Sequence, residues 1–315
     1  MGSKEGKNKF LIDEDSIDMR LDNYLLKRIK DVPKSKIYKI IRKGEVRVNS
    51  KRIKPLYKLK KGDLIRIPPN LIYDKGAKKN PIKPKNLDWI NDIIIYEDDG
   101  FLVLNKPSRM AVHGGSGSSQ GLIELLRYQR DNLKEDLELV HRLDKETSGC
   151  LLISKRRSKL RLLHQYFREG SIDKIYLGLL MGSFKEDSFI VDVPLKIHTK
   201  NNLRKAIPDR TGKKKAITKF KLLEKFDDCA LFEIKPITGK THQIRAHASF
   251  INKPLAGDQR YNPQPDVLSQ SAGLKRLFLH ATSISFPSLD DTKSIITFES
   301  GIGDELSQVI SNLRV

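Results

Sequence analysis

A polar loop that leads directly into an apolar strand carries the side chains best suited to chemistry. The loop is His141-Arg142-Leu143-Asp144-Lys145-Glu146-Thr147-Ser148-Gly149, and Cys150-Leu151-Leu152-Ile153 follows it. Catalytic side chains are often held on loops by a rigid scaffold. In an extended segment Arg142 and Asp144 point to the same side, and Leu143 points inward. The spacing alone nevertheless favours a simpler interpretation, an Arg–Asp pair that only holds the loop in place.

Three other motifs are incomplete. Gly239-Lys240-Thr241 is similar to the end of a phosphate-binding loop, but Ile234 stands where such a loop needs its first glycine. Gly114-Gly115-Ser116-Gly117-Ser118 is similar to the Gly-x-Ser-x-Gly elbow of serine hydrolases, but Ser118 stands where the elbow needs its last glycine. His242 and His247 are five residues apart, which does not align two metal ligands on one helical face. Nucleotide hydrolysis, ester hydrolysis and metal chemistry are therefore disfavoured.

Four segments, in order along the chain, resemble the motifs of the RluA-type pseudouridine synthases. The first is the loop from His141 to Gly149, which has the form His-Arg-Leu-Asp-x-x-Thr-Ser-Gly. The others are Lys174-Ile175-Tyr176-Leu177, the segment from Pro236 to His247, and Leu277-Phe278-Leu279-His280-Ala281. Together with a further resemblance in the N-terminal segment, described below, this resemblance covers nearly the whole chain from about residue 16.

The resemblance implies that the chain isomerises uridine to pseudouridine in RNA. This reaction breaks the C1′–N1 bond, turns the base and rejoins it through C5, so neither a cofactor nor a metal is expected. By resemblance Asp144 is the essential aspartate, acting at the sugar as nucleophile or as base. Positive charge develops on the sugar, and a nearby carboxylate stabilises it. We expect Arg245 to pair with Asp144 and orient it, and Thr241 to cap the helix that carries Arg245.

The remaining candidate residues concern the base and the RNA around it. A uridine inside folded RNA must be flipped out before its glycosidic bond can be reached. By resemblance, Arg142 fills the vacated stack, and Tyr176 stacks on the uracil and helps to remove the C5 proton. Leu279 lines the base pocket by the same analogy, although simple core burial would also explain it. Lys240 and His242 are expected to contact the RNA.

Basic residues are concentrated near the N-terminus. The chain has 315 residues, with 60 Lys+Arg against 39 Asp+Glu and a formal net charge of +21. Residues 16–69 contain 17 Lys+Arg and 5 Asp+Glu, so a net charge of +12 lies in this segment. Such an excess favours a polyanionic partner.

The basic segment has the pattern of two short helices and a small sheet. Arg20-Leu21-Asp22, the run from Ile41 to Asn49, and Gly62-Asp63 resemble the S4 RNA-binding domain. The resemblance implies that a basic helical face contacts structured RNA, where phosphate contacts and shape dominate. That face is formed by Lys36, Lys39, Arg42 and Lys43.

The patterns divide the chain into an N-terminal tail at 1–15, the S4-like domain at 16–69, a linker at 70–91 and a catalytic domain at 92–315. In the last of these, hairpins are predicted on either side of 97–100 and of Asp227-Asp228. Helical patterns lie between the strands, near 160–167, 244–251 and 306–313. No regular βαβ alternation occurs, so we predict an α+β fold with a mixed, largely antiparallel sheet.

The composition also bears on location and partners. No apolar stretch approaches the roughly 20 residues that span a bilayer, and the N-terminus has no apolar signal region. The two cysteines cannot form a disulfide framework. We therefore expect a cytoplasmic protein. We also expect a monomer, because nothing in the sequence suggests a coiled-coil or a swapped segment.

The S4-like domain favours ribosomal RNA as the substrate. The resemblance to one subgroup of the family implies large-subunit ribosomal RNA and several target uridines. The alternatives are the same chemistry on transfer RNA, or a non-catalytic role in ribosome assembly.

Overall fold

The chain forms two compact units in the computed structural model, Met1–Lys85 and Asn86–Val315. The structure describes residues 8–29, 32–69, 86–114, 120–130, 133, 136–200, 203–263, 268 and 271–315. Ser118 and most of the predicted linker lie outside these residues. No helix in the described parts of the chain is long and apolar enough to cross a membrane.

The described part of the first unit is a small antiparallel sheet with two α-helices. Its elements are β1 (Lys9–Leu11), a 3-10 helix (Glu14–Ser16), α1 (Leu21–Arg28), α2 (Lys34–Lys43), β2 (Arg47–Val48), β3 (Lys51–Arg52) and β4 (Leu64–Arg66). The strand order is β1-β4-β2-β3. Strand β1 lies in the segment predicted as an N-terminal tail. Ile12 is buried in the core of this unit and Phe10 packs against that core, so this part of the segment belongs to the folded unit.

Helix α2 buries one face and exposes the other. Ile37, Ile40 and Ile41 are buried, and the helix ends at Gly44, which adopts a left-handed φ of 74°. Glycine takes this conformation without the steric cost of a side chain. The basic side chains of the other face are half-buried or exposed: Lys36, Lys39, Arg42 and Lys43.

Asp22 joins the two helices of the first unit. Its carboxylate is 1% exposed and accepts hydrogen bonds from Arg20 Nε at 3.1 Å and from the hydroxyl of Tyr38 in α2. Burial opposes ionisation, but the hydrogen bonds from Arg20 and Tyr38 outweigh it and lower the pKa of Asp22. The Arg20-Leu21-Asp22 pattern therefore has a structural role in holding α2, and its basic face, in place.

The second unit contains the larger sheet. Its strands are β5 (Ile94–Glu97), β6 (Phe101–Lys106), β7 (Glu138–Leu139), β8 (Ser148–Ser154), β9 (Asp173–Met181), β10 (Ser188–Asp192), β11 (Leu195–Lys200), β12 (Leu203–Pro208), β13 (Ile217–Lys225), β14 (Cys229–Pro236), β15 (Leu279–Pro287) and β16 (Ile295–Glu299). Its helices are α3 (Trp89–Asp92), α4 (Leu122–Gln129), α5 (Arg157–Glu169), α6 (Gln243–Phe250) and α7 (Gly303–Leu313).

The main sheet is mixed, as predicted. Its order is β10-β13-β14-β9-β15-β8-β6-β5, with β16 beside β15, β7 beside β8, and β11-β12 as a separate hairpin. The pairs are antiparallel except for β8 with β15. Both predicted hairpins, β5-β6 and β13-β14, are present. The three predicted helices correspond to α5, α6 and α7.

The parallel contact between β8 and β15 needs a glycine. Gly149 in β8 pairs with Ala281 in β15 and has a φ of 106°. A Cβ atom added to Gly149 would lie 2.2 Å from the Ala281 carbonyl oxygen. The close approach fixes the start of β8, and therefore the end of the polar loop that carries Asp144.

Lys106, at the end of β6, is buried under the same loop. It is 0% exposed, and its Nζ donates hydrogen bonds to the carbonyl oxygens of Pro107 at 2.7 Å, Met110 at 2.9 Å and Lys145 at 3.2 Å. Burial lowers the pKa of Lys106 to about 7. The nearby carboxylates of Glu146 and Asp144 oppose this change. The three carbonyl oxygens match the three N–H bonds of an ammonium. Lys106 thus anchors the loop at the residue after Asp144.

Replacing Lys106 by methionine should destabilise the second unit by about 3 kcal/mol or more. The variant keeps the length of the side chain but leaves three carbonyl groups without their donor. Urea unfolding can be followed through Trp89, the single tryptophan, which packs against the core of this unit. The matched control is Lys219→Met on the exposed side of β13, which should change stability by less than about 0.5 kcal/mol. Equal effects from the two variants would contradict the anchoring role.

Candidate active site

A cavity of about 280 Å³ lies where the four motif segments meet. The first segment ends at β8, the second is in β9, the third connects β14 to α6, and the fourth begins β15. All four segments contribute to the lining: His141, Arg142, Leu143, Asp144, Thr147, Lys174, Tyr176, Pro236, Thr238, Gly239, Lys240, Thr241, His242, Gln243, Ile244, Arg245 and Leu279. Phe167 in α5 completes it.

Asp144 and Arg245 meet in this cavity. Arg245 Nη1 lies 3.5 Å from Asp144 Oδ2, and their side chains are 5% and 16% exposed. A shorter, bidentate pair joins Arg245 to Asp258: Nε donates to Oδ2 at 2.8 Å and Nη2 to Oδ1 at 2.7 Å. Burial lowers the pKa of Arg245, but Asp258 outweighs this and the net shift is upward. Arg245 is therefore a fixed cation that reaches Asp144 with its remaining nitrogen.

Tyr261 supports this arginine from one side. The Arg245 guanidinium carbon lies 5.2 Å from the centroid of the Tyr261 ring, a cation–π geometry. The Tyr261 hydroxyl accepts from the backbone nitrogen of Ala206 at 2.9 Å and donates to its carbonyl oxygen at 3.0 Å. Burial raises the pKa of Tyr261 to about 12, so it remains an uncharged phenol. Asp258 and Tyr261 together leave Arg245 little freedom.

His242 lies on the other side of Asp144. Its Nε2 is 3.8 Å from Asp144 Oδ1, and its Nδ1 is 3.2 Å from the Tyr261 hydroxyl. The Tyr261 hydroxyl donates its own proton to the Ala206 carbonyl. We therefore assign a proton to His242 Nδ1, which donates to the Tyr261 hydroxyl oxygen. Nε2 is then free to accept from Arg260 Nη1 at 3.5 Å. Burial lowers the pKa of His242, which agrees with a neutral ring.

The prediction that Thr241 caps α6 is wrong. Helix α6 begins at Gln243, and its N-cap is His242, in a left-handed conformation with a φ of 52°. The preceding turn is held by Gln243 instead: its Oε1 accepts from the backbone nitrogen of Lys240 at 3.0 Å, and its Nε2 donates to the Ile217 carbonyl at 2.9 Å. The turn strains His242 and points it into the cavity.

Tyr176 and Leu279 lie on neighbouring strands of the cavity wall. Tyr176 in β9 pairs with Ala281 in β15, and Leu279 pairs with Gly178. Tyr176 is 9% exposed and Leu279 is 3% exposed. Burial and, to a lesser extent, the charge of Asp144 raise the pKa of Tyr176, so its hydroxyl keeps its proton at neutral pH.

The predicted RNA-contacting residues fall into two groups. Arg142, Lys240 and His242 line the cavity, and the first two are exposed. The four basic residues of α2 belong to the first unit. The structure thus brings Arg142, Asp144, Tyr176, Arg245 and Leu279 together around one cavity of the second unit.

Three residues that support the site received no role from the sequence. Lys106 could have been noticed, because it follows the apolar run from Phe101 to Leu104 at an inward position of the strand. Asp258 and Tyr261 lie in a loop after α6, and no local pattern connects them to Arg245. Only the tertiary structure shows that they hold it.

Comparison with known proteins identifies the family. A family model described as RNA pseudouridylate synthase matches residues 100–250, and the S4 domain model matches residues 19–65. A human protein named RNA pseudouridylate synthase domain containing 4 shares the fold, with a TM-score of 0.60 over 72% of this chain and 95% of that chain, at 24% identity.

Curated relatives match nearly the full length. The chain is 46% identical over 305 residues to ribosomal large subunit pseudouridine synthase C of Vibrio vulnificus, which covers 96% of this chain and 95% of the relative. It is 42% identical over 306 residues to the protein of the same name from Escherichia coli O157:H7, with 96% and 95% coverage. The chain therefore belongs to the pseudouridine synthase family, with an S4 domain before the catalytic domain. The predicted family, α+β fold and isomerase class are confirmed.

Proposed function

We propose that this chain converts uridine to pseudouridine in large-subunit ribosomal RNA, at several sites. The observation that carries the proposal is the placement of Asp144 beside the fixed cation Arg245, with Tyr176 in the same cavity. The names of the two relatives support ribosomal RNA as the substrate, since each matches this chain over nearly its full length. The S4 domain match and the basic face of α2 also support RNA as the partner.

Asp144 acts at the sugar in this proposal. As the C1′–N1 bond breaks, positive charge develops at C1′, and a carboxylate beside it lowers the barrier. Arg245 keeps the carboxylate oriented, because Asp258 and Tyr261 hold the guanidinium from behind. Asp144 serves either as the nucleophile at C1′ or as a base at the sugar.

The target uridine enters the cavity by leaving its stack in the RNA. Arg142 is exposed at the edge of the cavity, and its planar guanidinium suits the gap left in the stack. Leu279 and Tyr176 form the apolar wall against the uracil. After the base has turned and C5 has bonded to C1′, the C5 proton leaves with the help of Tyr176. No group is gained or lost overall, so the proposal needs no cofactor.

Replacing Tyr176 by phenylalanine should slow pseudouridine formation by about 10²-fold while RNA affinity stays near that of wild type. The ring that contacts the uracil is kept, and only the hydroxyl that assists proton transfer is removed. Single-turnover release of tritium from uridine labelled at C5 measures the rate. Deuterium at C5 should slow the variant more than wild type, because removal of the C5 proton becomes the rate-limiting step in the variant.

Tyr166→Phe is the matched control for this prediction. Tyr166 is also a buried tyrosine, at 6% exposure, but it lies in α5 and does not line the cavity. Its replacement should leave the rate and the isotope effect unchanged. A Tyr176→Phe variant with the wild-type rate would remove Tyr176 from the proton transfer.

The reaction itself is tested with unmodified large-subunit ribosomal RNA, incubated with wild type and with Asp144→Asn. Pseudouridines are mapped by primer extension after carbodiimide treatment. We expect new stops, at more than one uridine, with wild type only. Stops with both proteins would contradict the role of Asp144.

The absence of stops with either protein would reject ribosomal RNA as the substrate. The same assay on unmodified transfer RNA then separates the two alternatives, since stops there indicate the same chemistry on another RNA. Tight binding without conversion of either RNA would indicate a non-catalytic role in ribosome assembly. We also propose that the enzyme acts as a monomer in the cytoplasm, where unmodified ribosomal RNA is available to it.

A further inference from the structure

Two buried hydroxyl groups of the second unit each contact a buried histidine. Ser148 Oγ lies 2.8 Å from His280 Nδ1, and Thr218 Oγ1 lies 2.8 Å from His247 Nδ1. All four residues are at most 5% exposed. We call Ser148–His280 and Thr218–His247 the hydroxyl–histidine pairs. Neither histidine lines the catalytic cavity in the part of the chain that the structure describes.

The hydrogen bonds run in the same direction in both pairs. His280 Nε2 lies 3.1 Å from the Ser300 carbonyl oxygen, and His247 Nε2 lies 2.9 Å from the Val193 carbonyl oxygen. A carbonyl oxygen only accepts, so Nε2 carries the proton of the neutral ring and Nδ1 is an acceptor. Each hydroxyl therefore donates to Nδ1. Burial lowers the pKa of both rings, that of His280 to about 4, so both are uncharged at neutral pH.

A side-chain donor completes each pair. Arg276 Nη1 donates to Ser148 Oγ at 3.1 Å, and Gln243 Nε2 donates to Thr218 Oγ1 at 3.0 Å. Each set of hydrogen bonds thus runs from a side-chain N–H through a hydroxyl and an imidazole to a backbone carbonyl. Buried networks in which every group has its partner hold their members in one arrangement.

The Ser148–His280 pair joins the loop that carries Asp144 to the wall of the cavity. Ser148 follows Thr147, whose backbone nitrogen donates to the Asp144 carbonyl oxygen at 3.2 Å. His280 follows Leu279, which lines the cavity. The pair therefore sets the position of Asp144 relative to Leu279.

The Thr218–His247 pair joins α6 to β13. Thr218 lies in β13, whereas Gln243 and His247 lie in α6, two residues before and two residues after Arg245. The Gln243 side chain also holds the turn that points His242 into the cavity. The pair therefore sets the position of the helix that brings Arg245 to the cavity.

We infer that the two hydroxyl–histidine pairs position the two halves of the active site, one the loop with Asp144 and the other the helix with Arg245. This inference rests on the proposed function and extends it to residues that act through Asp144 and Arg245 without touching the RNA. Loss of a hydroxyl leaves Nδ1 without its donor and the neighbouring N–H without its acceptor. The rearrangement that follows displaces a group of the cavity, and a displacement of about 1 Å can cost about 10²-fold in rate.

The test removes or keeps each hydroxyl with little change in size. Ser148→Ala and Thr218→Val remove it, whereas Ser148→Thr and Thr218→Ser keep it. The first two variants should lower the single-turnover rate at saturating RNA by about 10-fold or more, with unchanged RNA affinity. The other two should react at a rate near that of wild type. The added methyl group of Ser148→Thr has room, because Ser148 also lines a separate cavity of about 420 Å³.

Ser154→Ala is the matched control for Ser148→Ala. Ser154 is a buried serine at the other end of β8, and its hydroxyl donates to the Arg156 carbonyl oxygen at 2.6 Å. Its replacement removes a buried hydroxyl of the same strand but no contact of the pairs, so the rate should not change. If Ser154→Ala slows the reaction as much as Ser148→Ala, a general loss of stability explains both and the inference is overturned.

Two readouts need no RNA. In ¹⁵N spectra of the histidine rings, His247 and His280 should both carry their proton on Nε2, and the Nδ1 signal of His280 should shift in Ser148→Ala. Hydrogen exchange at residues 141–147 should be faster in Ser148→Ala than in wild type, and unchanged in Ser154→Ala. A proton on Nδ1 of either histidine would contradict the direction of the hydrogen bonds and overturn the inference.

The outcomes distinguish this inference from the proposed function. If wild type converts the RNA and the variants without a hydroxyl keep its rate, the inference is overturned and the function stands. If wild type converts no RNA, the proposed function is wrong, and hydrogen exchange alone decides the inference. Faster exchange at 141–147 only in Ser148→Ala would then support it, and equal exchange in all proteins would overturn it.

Discussion

Replacing Asp144 by asparagine should lower the single-turnover rate of pseudouridine formation by at least about 10³-fold, without weakening RNA binding. The amide has nearly the shape of the carboxylate but has no charge to stabilise the sugar cation and no basic oxygen to attack or deprotonate it. Affinity is preserved because RNA is a polyanion, and the substitution removes a negative charge from its path.

The measurement is tritium release from C5-labelled uridine at saturating enzyme, together with RNA affinity for each protein. Asp304→Asn, an exposed carboxylate in α7, is the control and should retain the wild-type rate. Asp144→Glu retains the charge but displaces it, so its rate should lie between those of wild type and Asp144→Asn. An Asp144→Asn enzyme within tenfold of wild type would show that another group acts at the sugar.

Replacing Asp258 by asparagine should have the second largest effect, on both stability and rate. It leaves the buried Arg245 cation without its bidentate partner, and loss of one partner from a buried pair costs about 3–5 kcal/mol. The freed guanidinium no longer holds Asp144 in one position, and a displacement of about 1 Å can cost about 10²-fold in rate. Urea unfolding followed through Trp89 and the single-turnover rate measure the two effects.

An exposed pair of the same geometry provides the control. Arg314 donates to Glu224 at 2.9 and 2.7 Å, but these side chains are 57% and 31% exposed. Solvent screens such a pair, so Glu224→Gln should cost less than about 1 kcal/mol and leave the rate unchanged. Equal losses of stability in Asp258→Asn and Glu224→Gln would contradict the importance of burial.

A double replacement separates stability from catalysis. Arg245→Met/Asp258→Leu removes both buried charges and fills their space with apolar side chains, which often restores the stability lost when one partner is removed. The rate should stay low, because no cation remains beside Asp144. Recovery of the rate together with stability would show that Arg245 is needed only for folding.

The segments that line the cavity were predictable because each is a short local pattern. The loop around Asp144 is polar and leads into an apolar strand, and Tyr176 lies in a second motif. The two hairpins and the three helices of the second unit were likewise predictable from alternation and helical spacing. Local patterns thus predicted the elements, and the resemblance to a family predicted which of their side chains meet.

The supporting contacts were not predictable, because they join residues that are distant in the chain. Lys106 reaches the Lys145 carbonyl over 39 residues, and Tyr261 bonds to Ala206 over 55. The left-handed turn at His242 was missed for another reason: Thr241 is a good N-cap by residue type, but the Gln243 side chain closes the turn one residue later. The hydrogen bonds of the Gln243 side chain, rather than the capping propensity of Thr241, therefore determine where α6 begins.

The parallel contact between β8 and β15 has a consequence for the order in which the protein matures. Ser148 and His280, which pair there, are 132 residues apart, so the cavity is complete only after most of the chain has left the ribosome. The contacts within the first unit close over far shorter distances, and Arg47 pairs with Arg66 only 19 residues later. Short-range contacts form quickly and long-range pairing is slow. The nascent chain therefore acquires its basic helical face well before it acquires a working active site.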